Sequence, residues 1–227
     1  MRTVHTAAAL AAAAFAVLCV PGVSAAQSST TYSIGLASEY VFRGISQTDE
    51  NPAIQGSIDW TSGAIYAGAW ASNVDFGDDT EAEIDLYGGV RGEAAGLSWD
   101  VGVIGYLYAD APPGADYNYA EIKIAASRGF GPATIGAAIY ATPDFFGIDE
   151  EAVYAEINGA YQASDEIAFS GAIGRQSLDV TDDYWTWNAG VTAALTEGVG
   201  LDVRYHDTDV DGPLSERRIT AAIKYAF

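Results

Sequence analysis

Charged side chains recur along this chain between apolar or small neighbours: Glu39, Arg43, Asp59, Glu83, Asp85, Arg91, Asp100, Glu121, Lys123, Glu156, Asp202, Arg204, Arg218 and Lys224. Carboxylates and cations gathered on one inner surface have two uses. They can form a charged constriction that filters ions or small solutes, or they can pair into a salt-bridge network that fills the space they line. The residues alone leave both readings open. Arg43 is placed to shape an eyelet by facing Glu83 or Asp85 across neighbouring strands.

Catalysis has little to work with. His206 is the only histidine beyond the first few residues, no G-x-S-x-G elbow is present, and Asp207 points to the opposite strand face from its neighbour His206. An enzyme is not expected, nor is a cofactor. The run Asp207-Thr208-Asp209-Val210-Asp211-Gly212 imitates the opening of a calcium loop but lacks the later glutamate at the expected spacing. A defined metal site is therefore not expected, only diffuse attraction of cations to acidic loops.

Residues 1–26 have the form of a secretory signal peptide: Arg2, an apolar run from about Ala7 to Val20, then the small residues Ser24, Ala25 and Ala26. Beyond it, residues 27–227 form one domain with no cysteine, so disulfides and thiol nucleophiles are excluded. Arg2 lies in the leader, so this domain carries nine basic residues against 31 acidic ones. Nucleic acid is a poor partner for such a field.

The elements that must position these charges are strands. Apolar residues recur at period 2 from Thr31 onward, as in Ile84, Leu86 and Val90 against Glu83, Asp85, Tyr87 and Arg91. About twelve segments follow this pattern, near 31–43, 52–61, 64–75, 81–93, 96–109, 117–128, 132–142, 151–162, 166–177, 183–195, 198–208 and 215–227. Tyr32, Ile34, Leu36, Tyr40 and Phe42 share the outward face of the first. The joins alternate between tight glycine-containing or small-residue turns and longer acidic loops, the alternation expected when short turns face the periplasm and long loops the outside. The fold expected is all-β: a transmembrane antiparallel up-and-down β-barrel of about 12 strands. Its last strand, with Ile219, Ile223, Tyr225 and Phe227 outward, should close on the first, because hydrocarbon leaves no backbone group unpaired. Trp60, Trp70, Trp99, Trp185 and Trp187 read as interfacial girdle residues, and Tyr106, Tyr108, Tyr117 and Tyr119 as candidates for a pore mouth.

The stretches ASEYVFRGISQTDENPAIQGSIDW, YAGAWASNVDF, EIDLYGG and DYNYAEI resemble the TorF family of porins, also known as the bacterial family Gcw_chp, with Glu39 where members often have Asp. The resemblance covers essentially the whole chain after the leader. It implies an outer-membrane barrel and a pore, but no particular solute. The closing residues Tyr225 and Phe227 also look like the signal by which such barrels reach the barrel-assembly machinery. The function expected is a channel in the bacterial outer membrane for passive diffusion of small hydrophilic solutes or ions, leaning to cations. The alternative is a plugged structural or recognition barrel whose acidic loops bind cations or a partner.

Overall fold

The computed structural model describes residues 28–179 and 181–227, so the leader read at 1–26 lies outside them. The strands are β1 (Ser29–Ala37), β2 (Val41–Phe42), β3 (Ile45–Ser46), β4 (Ala53–Ser62), β5 (Ile65–Asn73), β6 (Ala82–Ala94) and β7 (Leu97–Ala109), then β8 (Tyr119–Phe130), β9 (Ala133–Thr142), β10 (Ala152–Gln162), β11 (Ile167–Leu178), β12 (Tyr184–Thr196), β13 (Val199–Thr208) and β14 (Arg218–Ala226). Twelve of them, all but β2 and β3, pair antiparallel with their sequence neighbours into a closed barrel.

Alternation decides which side chains face out. Ile122, Ile124 and Ile157 are each more than half exposed, whereas Glu121 and Lys123, one residue away, are almost fully buried. The barrel is thus apolar outside and charged inside, the reverse of a soluble domain and the arrangement that suits a hydrocarbon exterior. Trp60, Trp99 and Trp185 face outward as expected.

The closing seam joins β14 to β1, with Ala222 opposite Ala37 and Ala226 opposite Ser33. Beyond the ladder, Tyr32 N–H donates to the Phe227 carbonyl at 2.9 Å and Phe227 N–H to the Tyr32 carbonyl at 3.0 Å. The Phe227 ring stacks on Tyr225 at 5.3 Å and on Tyr32 at 5.8 Å. Phe227→Pro removes one of these donors and leaves the Tyr32 carbonyl unpaired, which costs about 1–3 kcal/mol. Refolded Phe227→Pro should therefore lose its heat-modifiable gel mobility at a lower temperature than Phe227→Ala, which keeps the backbone pair. Equal midpoints would show that the ring, not the backbone pair, holds the seam.

The first segment departs from expectation. β1 stops at Ala37, and the chain then leaves the wall as loop L1 (38–52), whose short hairpin β2–β3 folds inward. Its turn is Arg43-Gly44, with φ of 46° and 87°, the pair of positive values that a two-residue hairpin turn of type I′ requires. L1 is also tied to the 74–81 loop, through Asp75 N–H donating to the Gln47 carbonyl at 2.8 Å. Tyr40 and Phe42, expected on the lipid face, consequently lie inside: Tyr40 is 8% exposed and contacts Trp70 edge-on at 5.2 Å. Trp70 is itself an inner-face residue rather than part of the girdle.

Candidate functional site

The lumen divides into two levels. On the long-loop side it is filled by the hairpin and a sheaf of aromatic rings. Tyr106 stacks on Tyr119 at 4.4 Å, Phe42 packs edge-on against Tyr106 at 6.0 Å, and Phe146 stacks on Tyr108 at 5.4 Å and Tyr119 at 5.2 Å. Of the four tyrosines expected at a pore mouth, Tyr106, Tyr108 and Tyr119 are buried in this packing, and Tyr117 lies half-buried against Phe76 and Phe146. Below the hairpin lies a cavity of about 530 Å³, running from Arg43 and Gly44 to Thr31 and Thr61 at the short-turn end.

Arg43 holds the boundary between the two levels. It does not face Glu83 or Asp85. Instead its guanidinium makes a two-pronged ion pair with Glu121, Nη1 to Oε1 at 2.8 Å and Nη2 to Oε2 at 2.6 Å, and Nη1 also donates to Gln176 Oε1 at 2.9 Å. Its carbon lies 4.5 Å from the ring centroid of Tyr154, 5.3 Å from Tyr140 and 4.6 Å from Phe42. Glu121, from β8, is oriented on its other side by the Tyr106 hydroxyl at 3.0 Å. A desolvated guanidinium with a bidentate carboxylate and aromatic faces combines the strongest contacts available to arginine.

Glu83 and Asp85 are buried on the inner face of β6, with Tyr40 donating to Glu83 at 3.1 Å. Asp100 pairs with Lys123 at 3.4 Å and accepts from Tyr66 at 2.8 Å. Asp59 accepts from Ser57 at 2.9 Å and from the Tyr87 hydroxyl, and Glu156 accepts from Tyr154 at 3.1 Å and Asn158 at 2.9 Å. Arg91 lies over the Tyr66 ring at 5.5 Å, and Lys224 lines the cavity. Arg204 reaches Asp202 at 3.0 Å, Asn188 at 2.7 Å and Ser170 at 2.8 Å on its own side of the wall. Glu39 is not on a strand. It sits in L1 and pairs with Arg218 of β14, which also approaches Glu50 at 3.6 Å and so pins both arms of the loop.

The calcium-like run begins inside β13: Asp207 accepts from Tyr205 at 2.6 Å, and Asp209 accepts from the Trp185 backbone at 2.7 Å. These carboxylates cap strand ends. Sequence reasoning missed Gln176, Tyr140 and Tyr154 as partners of Arg43, since nothing in a single sequence joins four strands to one loop tip.

A closed antiparallel barrel of twelve strands, apolar outside and charged inside, is the architecture of porin-like outer-membrane barrels. Within that class the chain belongs to the family described as "Bacterial protein of unknown function (Gcw_chp)", whose model matches residues 23–227. No curated protein matches it in sequence. Among solved structures it is similar to the KdgM porin (7% identity, 88% of this chain and 99% of that one, TM-score 0.59). It is also similar to the NanC porin (9%, 88% and 99%, TM-score 0.58) and to an outer membrane channel from Pseudomonas putida F1 (10%, 91% and 96%, TM-score 0.53). A second similar structure is the KdgM porin in complex with disordered oligogalacturonate (7% identity, 88% of this chain and 99% of that one, TM-score 0.60).

Proposed function

We propose that the protein is an outer-membrane channel for small hydrophilic solutes, with cations favoured and the L1 hairpin as its constriction. The observation that carries this reading is the cavity of about 530 Å³ lined by charged inner-face side chains beneath Arg43. Resemblance to TorF-type porins and the shared barrel fold of KdgM and NanC support it, as does the outward apolar surface, which fits an outer-membrane location. The cation preference is supported by the lining together with the acidic loops. Among the described residues Asp59 and Glu156 face inward without an ion-pair partner, against Arg91 and Lys224, with Glu83 and Asp85 as further acidic groups on the inner face of β6, and the long loops above are acidic throughout. A polyanion such as oligogalacturonate suits this lumen poorly, because like charge in a low-dielectric channel repels it. Outward Tyr225 and Phe227 would present the barrel for assembly, alongside the seam they complete.

A second reading has its own support: the hairpin and aromatic sheaf fill the long-loop half of the lumen, as in a structural barrel that never conducts. Planar-bilayer recording of refolded protein under a potassium chloride gradient separates the two. Discrete steps with a cation-selective reversal potential are expected. Silence from protein whose gel mobility shows it to be folded, or an anion-selective potential, would overturn the channel or its selectivity respectively.

A further inference from the structure

Arg43 is held as a ligand is held. Glu121, Gln176, Tyr140 and Tyr154 come from four consecutive wall strands, β8, β11, β9 and β10, and only Arg43 and Phe42 come from the hairpin. Apart from Phe42, the cage is therefore built by the barrel wall. Glu121 and Gln176 are at most 1% exposed, and Tyr106 fixes the carboxylate from behind. By contrast, the buried pairs Lys123 with Asp100 and Arg204 with Asp202 lie entirely within the wall. Two further acidic side chains at this level, Glu83 and Asp85, have no ion-pair partner among the described residues, so Arg43 is the cation that the hairpin brings to a wall rich in carboxyl groups. The turn presents the guanidinium at the very tip of the hairpin, with Arg43 at a φ of 46°.

We propose that this cage is a recognition site for guanidinium-type organic cations, occupied here by the chain's own Arg43, and that an external guanidinium competes for it and frees the hairpin from the lumen. Carboxylate, amide oxygen and two ring faces match a planar, forked cation; an ammonium of equal charge cannot make the bidentate pair, and a neutral urea forfeits the charge. The tethered Arg43 acts at a high effective concentration, about millimolar or above, so the native protein should respond only to concentrated ligand. The release step rests on the channel reading, but the binding step does not.

The test has two arms. In the first, Arg43→Ala, refolded in detergent, is titrated calorimetrically with ethylguanidinium, ethylammonium and urea. Saturable binding of ethylguanidinium is expected, about tenfold or more tighter than ethylammonium, absent for urea, and abolished by adding Glu121→Gln. Equal binding of the two cations, or binding indifferent to Glu121, overturns the site. The second arm needs no variant to fold: ethylguanidinium added to native protein in a bilayer should raise the open fraction saturably, and ethylammonium should not. Binding in the first arm without an effect on conducting native protein overturns the release step. Binding by a barrel that never conducts refutes the channel reading and leaves the site standing.

Discussion

Gly44→Val should raise single-channel conductance several-fold while the twelve-strand barrel stays folded. Two effects push the same way. Gly44 has a φ of 87°, where a side chain is strained by about 1–2 kcal/mol, most of all a β-branched one. An added Cβ would also sit 2.7 Å from the Thr186 hydroxyl and 3.1 Å from Thr208 Cβ, on β12 and β13. These threonines stand in strands paired on both sides, whereas the hairpin has two ladder pairs. The hairpin must yield, and Arg43 withdraws with it. In a dry lumen the abandoned Glu121 would cost about 3–5 kcal/mol, but the departing hairpin admits water and removes much of that penalty. Conductance and heat-modifiable mobility are read on the same refolded sample. Native conductance from folded Gly44→Val would show that the hairpin does not close the lumen.

The hairpin is also where the sequence was least informative, for a reason that can be named. Strand periodicity reports which side chains share a face, and it did so well through the wall: Glu83 and Asp85, Glu121 and Lys123, and Asp202 and Arg204 all face inward as the alternation requires. The spacing of Tyr40 and Phe42 continues the phase of Ile34 and Leu36, so the alternation ran on through a point where the chain had left the wall. An inward hairpin is pleated too, and parity cannot tell it from wall. Two marks were present: polar Ser38 interrupts the apolar series, and Gly44 can supply the positive φ that a tight turn needs. Trp70 fails similarly, because a strand of Ala, Gly and Ser with few large residues leaves its phase weakly marked. The partners of Arg43 were beyond reach, since they converge through barrel closure and a loop trajectory, both long-range properties.

That convergence bears on how the two initial readings of the charged interior relate. A filtering constriction and a plugging salt-bridge network seemed exclusive, yet Arg43 with Glu121 is at once an ion pair that fills the lumen and the tip of an element anchored by a single loop. A wall pair such as Lys123 with Asp100 can only fill, because both partners belong to neighbouring strands. On the channel reading, whether the lumen conducts depends on the position of L1, which Glu39 with Arg218 holds at its base.

The wall itself is most sensitive where β6 meets β7. Gly89→Val should prevent the barrel from reaching its heat-modifiable folded form, or sharply lower the temperature at which that form is lost. Gly89 lies opposite Gly102, and a Cβ on it would come 2.4 Å from the Val101 carbonyl oxygen, 2.8 Å from Gly102 Cα and 2.6 Å from the Tyr66 hydroxyl. The nearest obstacle is backbone, so no rotamer change relieves it, and the Tyr66 hydroxyl is held by Asp100. Overpacking of this kind costs about 1–3 kcal/mol in ordinary cores. Here it should cost more, because parting the strands breaks ladder hydrogen bonds that hydrocarbon cannot replace. Gly129→Val is the control: the same residue change near the end of β8, with no atom within 4 Å of the new Cβ. It should refold like the native chain. If both variants lose stability equally, the effect belongs to valine in any strand; if neither does, β6 and β7 part more readily than the close Gly89–Gly102 contact implies.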